Sequence, residues 1–177
     1  TQKPLPMRNR FQRLAVLFFS LALSGSVFAQ NDKPRESPAA TATGKAGGKT
    51  IAIQYSQPSV KGREVFGKLV PYGQVWRAGA NETTSIEFSD DVTLEGKPVA
   101  KGKYAFFTIP GEKEWTIILN KTIKWGAFSY KQAEDVLRVN VPVKKAKTSV
   151  EKLTYGVSNK GIVSLTWADV KVDFKVQ

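Results

Sequence analysis

The sequence predicts an all-β fold, an antiparallel β-sandwich, with jelly-roll connectivity as one arrangement of its strands. Apolar and polar side chains alternate with a two-residue period in residues 51–55, 85–88 and 136–143. This period places one face of a strand on a core and the other in water. Residues 104–109 and 115–119 are apolar on both faces, which is typical of central strands. Eight or nine such segments separated by turn signals, without a long amphipathic helix, favour the sandwich.

The remaining elements follow from local signals. A hairpin is predicted between Val92 and Val99, with its turn at residues 94–98. In the last segment the apolar positions are odd-numbered up to Trp167 and even-numbered from Val170 onward, so a bulge or tight turn is expected at residues 168–169. Residues 64–69 and 130–135 could each form one or two turns of helix.

The amino-terminal region has the pattern of a secretory signal peptide. Arg8, Arg10 and Arg13 precede an apolar run over residues 14–23, and Val27-Phe28-Ala29 offers small side chains at the cleavage positions. The run is far shorter than the roughly 20 residues that span a bilayer. We therefore expect cleavage after Ala29, a periplasmic or secreted protein, and no membrane span in the mature chain. Met7 fits as the initiator, so residues 1–29 comprise an upstream extension before Met7 followed by the signal peptide.

Residues 30–48 contain proline, alanine, threonine, serine and glycine but no large apolar side chain. Such a segment buries too little surface to offset its conformational entropy. The sequence therefore predicts a flexible linker over residues 30–48 and a folded domain over residues 49–177.

The composition excludes several chemistries. The 177 residues include no cysteine and no histidine, which excludes His/Cys sites for zinc, copper or haem, a Ser-His-Asp triad, a thiol nucleophile and disulfides. No spaced acidic loop typical of calcium sites is present. We expect no catalytic residue, no metal and no cofactor. The net charge of +12 indicates only a bias toward anionic surfaces. The lysines at 144, 145 and 147 lack interleaved aromatic residues, so nucleic acid is not expected as a partner.

Residues 59–84 differ from the strands around them. Four glycines and several aromatic and charged residues occur here with little two-residue periodicity, and a long connection of this kind often displays functional groups on a rigid sheet. The arginines could bind a carboxylate or phosphate, the aromatic rings could stack on a ligand, and the polar residues could direct it. The candidate ligand-binding residues are Arg63, Tyr72, Trp76, Arg77, Asn81, Glu82 and Thr83. The alternative is a structural plug in which an arginine pairs with Glu82 to order the loop.

The same segment resembles a bacterial domain-of-unknown-function family, numbered 2911. The resemblance rests on residues 56–63 and 67–84, above all on the string VWRAGANE at 75–82. Later segments also look similar, including Gly102-Lys103-Tyr104, Trp125-Gly126 and Leu137-Arg138-Val139. The resemblance covers residues 49–177. It implies an exported protein of Bacteroidetes-like bacteria and brings no established activity or catalytic assignment.

Together these features favour a non-enzymatic exported protein that binds a small molecule, a glycan or an envelope protein. One alternative is a carboxylate-dependent enzyme acting on glycans, with Glu82 and a second acid as its pair. Another is a structural protein that self-associates through its sheet edges.

Overall fold

The structure, a computed structural model, describes Thr1 and residues 34–177. The predicted signal peptide with its cleavage site, almost all of the upstream extension, and residues 30–33 of the predicted linker lie outside the described residues. No helix in the described part of the chain is both long and apolar enough to cross a membrane.

The described chain is built almost entirely of strands. They are β1 (Ala39–Ala46), β2 (Lys49–Ser56), β3 (Ser85–Phe88), β4 (Val92–Leu94), β5 (Lys97–Val99), β6 (Gly102–Ile109), β7 (Glu114–Asn120), β8 (Asp135–Val157) and β9 (Ile162–Lys175). Two short 3-10 helices, Ala127–Ser129 and Gln132–Glu134, precede β8. The second of these lies within residues 130–135, where a helical turn was expected.

Seven strands form one antiparallel sheet in the order β1-β2-β3-β6-β7-β8-β9, and β4 pairs with β5. The all-β, antiparallel prediction is confirmed. The main sheet is nearly barrel-shaped rather than clearly a sandwich, because β8 also contacts β1. The first part of β8 pairs with β7 and the rest with β9, and irregularities in the β8–β9 register allow these long strands to bend. One sheet can thus curl on itself where the sequence pattern alone suggested two layers.

The prediction that the folded domain starts at Lys49 is wrong. Residues 39–46, assigned to the flexible linker, form β1 and pair with β2 from Ala39 opposite Ser56 to Ala46 opposite Lys49. Glycines 47 and 48 both have positive φ and make the tight hairpin turn. Small side chains suit this strand because β8 lies close against it: a Cβ on Gly44 would lie 2.6 Å from the Val157 side chain. Main-chain hydrogen bonds to β2 and the close approach of β8 hold β1 in place, so the strand needs no large apolar side chains.

Three local predictions are confirmed. The hairpin of β4 and β5 turns at Glu95 and Gly96, both at positive φ. Strands β6 and β7 are central in the sheet and carry buried residues on both faces. The change of parity near residue 168 is an irregularity of the β8–β9 register, with Ala168 at φ 52°.

The main core fills the inside of the curled sheet. It includes Phe106, Trp115, Trp167 and Phe174, each at most 2% exposed, and the described residues that contribute to it lie between 40 and 176. A smaller cluster of Ala105, Phe107 and Ile118 lies on the opposite face of β6 and β7. Because the part of the chain from Pro34 onward contains a complete core, we expect it to fold by itself.

Candidate functional site

The segment between β2 and β3 is pinned to the sheet. Trp76 donates its backbone N–H to Thr108 O (2.8 Å), and Thr108 N–H donates to Trp76 O (2.9 Å). Farther along, Phe106 N–H donates to Thr84 O. The segment therefore runs beside the part of β6 that lies beyond the first residue of β3, and its backbone is fixed there.

A tight turn follows Arg77. Ala78 is fully buried with φ 53°, and its carbonyl accepts hydrogen bonds from Thr84 Oγ1 (3.1 Å) and Tyr155 Oη (2.8 Å). The next residue must be glycine, because a Cβ on Gly79 would lie 2.7 Å from Thr84 Oγ1. Positive φ at a non-glycine residue is strained and persists only where the surroundings fix it. This turn sets the direction in which Arg77 leaves the sheet.

Arg77 opens onto a cleft of about 280 Å³, here called the Arg77 cleft. Trp76 and Trp167 lie along it with their rings stacked, their centroids 5.9 Å apart and their planes at 17°. Phe66 packs edge-on against both indoles. The cleft is lined by Glu36, Ser37, Pro58, Ser59, Lys61, Arg63, Leu69, Val70, Trp76, Arg77, Gly79, Ala80 and Trp167.

Arg77 has no partner for its Nε among the described residues, although this atom is shielded from solvent. Nε is the one guanidinium nitrogen of Arg77 that is both shielded and without a partner among the described residues. Burial lowers the pKa of Arg77 from its ordinary value, and no carboxylate in the described part of the chain counters this effect. Buried donors in native proteins nearly always have partners. The Nε–H of Arg77 is therefore a donor that lacks an acceptor among the described residues.

Two further cations line the same cleft. Arg63 donates from Nε to Val60 O (3.0 Å) and from Nη2 to Ser59 O (2.6 Å), which holds its guanidinium near its own turn. Lys61 forms an exposed ion pair with Glu36, which is the one acid among the described residues of the lining. Three formal positive charges against one negative charge give the Arg77 cleft a positive potential.

Glu82 and Asn81 lie apart from the Arg77 cleft, beside a neighbouring hollow that also includes Trp125. Asn81 Nδ2 donates to Ser37 O (3.0 Å). Glu82 accepts from Arg35 Nη1 (2.6 Å) and, more weakly, from Ser56 Oγ (3.3 Å). Its own backbone N–H, followed by Arg35, lowers the pKa of Glu82.

Thr83 and Tyr72 are also outside the Arg77 cleft. Thr83 Oγ1 faces the carbonyls of Lys124 and Gly126 (3.2 Å for the second), so its hydroxyl supports the 121–131 loop. Tyr72 is 40% exposed and packs on Gly67. Burial, followed by nearby carboxylates, raises the pKa of Tyr72. Of the seven candidates, the structure brings together Arg63, Trp76 and Arg77.

A wider depression of about 550 Å³ lies along β1 and β2 and includes Glu82, Thr83 and Lys103 in its lining. Lys103 Nζ there donates to Gln54 Oε1 (2.7 Å), and Glu82 already has Arg35. It offers no unsatisfied charge comparable to that of Arg77. No cluster of acids able to hold a metal occurs among residues 34–177.

Sequence reasoning missed Lys61 and Trp167 as members of the site. Trp167 carried the signal of a core strand position and is indeed 1% exposed, yet its edge reaches the cleft. Lys61 lies in a turn at φ 50°, and nothing in its sequence context distinguishes it from other surface lysines. Trp167 reaches the cleft from β9, and Lys61 is placed there by its N–H bond to Glu151 Oε1 of β8, so only the folded structure reveals both.

The fold and this site define a small all-β protein with an aromatic and cationic cleft. The chain belongs to the family described as protein of unknown function (DUF2911), whose match covers residues 37–176. The match begins before β1, in agreement with the inclusion of that strand in the folded domain. No curated protein and no solved structure showed a significant match to the chain.

Proposed function

We propose that this protein is an exported component of a bacterial envelope that binds a small anionic molecule in the Arg77 cleft. The observation that carries the proposal is the shielded Arg77 Nε without a partner among the described residues. A shielded donor without a partner destabilises a fold, so its presence is best explained by a ligand that supplies the missing acceptor. A carboxylate or phosphate fits, since both present paired oxygens to a guanidinium fork.

The size and lining of the cleft narrow the ligand class. A volume of about 280 Å³ is at the lower limit of ordinary ligand pockets, which favours a metabolite-sized molecule over a polymer. The stacked indoles of Trp76 and Trp167 supply an apolar wall beside the cations. We therefore expect an anionic group at Arg77 and a compact apolar or ring-containing body against the indoles.

Hydrolysis of glycans is not part of this proposal. A general acid needs a carboxyl with a raised pKa. Glu82 and Glu36 border the same hollow, but the pKa of each is lowered, that of Glu36 chiefly by its bond to Lys61. Both carboxylates form ion pairs with exposed cations, Glu82 with Arg35 and Glu36 with Lys61, so in this proposal their role is structural.

Binding is tested by calorimetry at low ionic strength on residues 30–177, with inorganic phosphate, acetate and benzoate as probes. Arg77→Met should weaken binding of the best probe roughly ten- to hundredfold, since a charge-assisted hydrogen bond contributes about 1.5–3 kcal/mol. The matched control is Arg35→Met, which removes the same charge outside the Arg77 cleft and should leave binding nearly unchanged. Equal affinity in wild type and Arg77→Met would remove the proposal.

Export is proposed on separate grounds, the arginine-rich start, short apolar run and Val27-Phe28-Ala29 site. Mass spectrometry of the protein recovered from the envelope fraction of its own host should give a chain that starts at Gln30. Recovery of the uncleaved chain from the cytoplasm would contradict this part of the proposal and leave the cleft unaffected.

A further inference from the structure

The loop at residues 121–131, here called the aromatic loop, exposes three large apolar side chains. Ile123 is 44% exposed, Trp125 is 61% exposed and Phe128 is 81% exposed. The Trp125 and Phe128 rings lean together with centroids 5.6 Å apart. Tryptophan and phenylalanine usually bury most of their surface, and a cluster of them on one loop indicates contact with another phase or molecule.

The fold holds the aromatic loop in this conformation. Thr83 Oγ1 faces two of its carbonyls, Ser129 Oγ donates to Gly126 O (3.1 Å), and Tyr130 N–H donates to Ala127 O (3.1 Å). Gly126 has φ 75°, and a Cβ there would lie 2.7 Å from the Phe128 ring. The exposed apolar side chains therefore lie on a loop whose conformation is fixed by hydrogen bonds within it and to Thr83.

The base of the aromatic loop is equally well fixed. Tyr130 Oη donates to Asp135 Oδ2 (2.6 Å), while Asn120 Nδ2 donates to Asp135 Oδ1 (3.0 Å). Burial, followed by Asp135, raises the pKa of Tyr130 to about 12, so the phenol stays a donor. Arg138 Nε lies 3.0 Å from the same carboxylate.

All charges within the aromatic loop are positive, and the two acids that border the hollow beside Trp125, Glu36 and Glu82, are each paired with a cation. Lys121, Lys124 and Lys131 are all exposed, and no acid occurs from residue 121 to residue 133. Protein interfaces deplete lysine and favour aromatics in a dry centre. Aromatic tips flanked by lysines are instead complementary to a membrane surface, where the rings enter the headgroup region and the ammonium groups meet anionic lipids.

We propose that the aromatic loop docks this protein on an anionic phospholipid surface, with Trp125 and Phe128 inserted at the headgroup level and the three lysines on lipid phosphates. Docking is peripheral and reversible, because only a few side chains enter the bilayer. The Arg77 cleft uses other residues, so lipid docking and ligand binding are separable.

The test uses residues 30–177, which contain all the described core residues and lack the apolar run at 14–23. Vesicles of phosphatidylcholine with and without phosphatidylglycerol are sedimented with the protein. Binding should require phosphatidylglycerol and fall as salt is added. Trp125 is the most exposed of the four tryptophans, since Trp115 and Trp167 are buried and Trp76 is partly buried, so a blue shift of emission on binding reports on this loop.

The variant Trp125→Ala/Phe128→Ala should reduce the vesicle-bound fraction at least about tenfold, because it removes the inserted apolar surface. Val136→Ala is the matched control, a 45% exposed apolar residue outside the aromatic loop and outside the Arg77 cleft, and should bind as wild type does. Near-ultraviolet circular dichroism and thermal unfolding verify that both variants fold. Absence of binding to anionic vesicles, equal binding by the double variant, or self-association that depends on the aromatic pair without vesicles would each overturn the proposal.

Discussion

Replacing Arg77 with methionine should stabilise the protein in the absence of ligand. Methionine keeps an unbranched apolar stem of similar reach but has neither the charge nor the N–H groups. In the wild type, Nε of Arg77 is shielded and no described residue accepts from it, while burial lowers the pKa of the guanidinium. The substitution thus removes an unfavourable group and retains most of the packing against the cleft wall.

The magnitude follows from the single unsatisfied donor. Leaving one buried donor without a partner costs about 1–3 kcal/mol. Arg77 is only half-buried, so the lower end applies, and we expect a gain of about 1 kcal/mol. For a domain of this size that gain corresponds to a rise in Tm of roughly 3 °C.

Thermal and urea unfolding of residues 30–177 in a dilute, weakly binding buffer measure this effect. Arg35→Met serves as control, since the Arg35–Glu82 pair is about half exposed and such pairs contribute about 0–1 kcal/mol. The free energy of unfolding of that control should stay level or fall slightly. Adding phosphate should then stabilise wild type and leave Arg77→Met unchanged. Loss of stability in Arg77→Met without ligand would refute the reasoning, since it would mean that the guanidinium is already satisfied within the fold.

Two further predictions concern the scaffold. Gly161→Ala should destabilise by more than about 2 kcal/mol or prevent folding, because φ is 75° and a Cβ would lie 2.0 Å from Val176 O; Gly156→Ala, with free space around it, should be tolerated in the same urea titration. Asp173 lies between Lys144 and Lys171; burial raises its pKa, but the Ser164 hydroxyl and the two lysines outweigh this and lower it overall. The stability that Asp173 supplies is therefore present at neutral pH and lost as pH falls below about 4, so Asp173→Asn should flatten the acid limb of the stability profile; an unchanged limb would contradict this assignment.

The strands that could be predicted from sequence are those whose side chains carry the information. Residues 104–109 and 115–119 are apolar on both faces, and the structure places them centrally in the sheet. Strand β1 escaped prediction because its alanines, threonines and glycine have no apolar periodicity. Its signals were the paired glycines 47 and 48 before β2, which are typical of a two-residue hairpin turn. Curling of the sheet depends on bends in β8 and β9, which a period-two pattern does not encode.

The sequence predicted which stretch of the chain contains the site but not how its residues are arranged in space. The density of arginine and aromatic residues in 59–84 pointed to the correct stretch of chain, and Arg63, Trp76 and Arg77 do line one cleft. The pattern could not separate these residues from Asn81 and Thr83, whose side chains bond to main-chain carbonyls. That distinction depends on which carbonyls the folded backbone leaves unpaired.

The segment just before β1 links the fold to the site, because Glu36 and Ser37, predicted to belong to a flexible linker, line the Arg77 cleft. Gln57 N–H donates to Pro38 O (2.9 Å), Asn81 Nδ2 donates to Ser37 O, and Lys61 pairs with Glu36. Each of these bonds joins residues 36–38 to the chain around the Arg77 cleft. Pairing of β1 with β2 therefore does more than extend the sheet: it places Glu36 and Ser37 in the lining of the Arg77 cleft. The polar groups of this segment thus have partners, whereas Arg77 Nε still lacks an acceptor among the described residues. The chemistry of the ligand should therefore be inferred from the guanidinium of Arg77 and not from the polar residues around it.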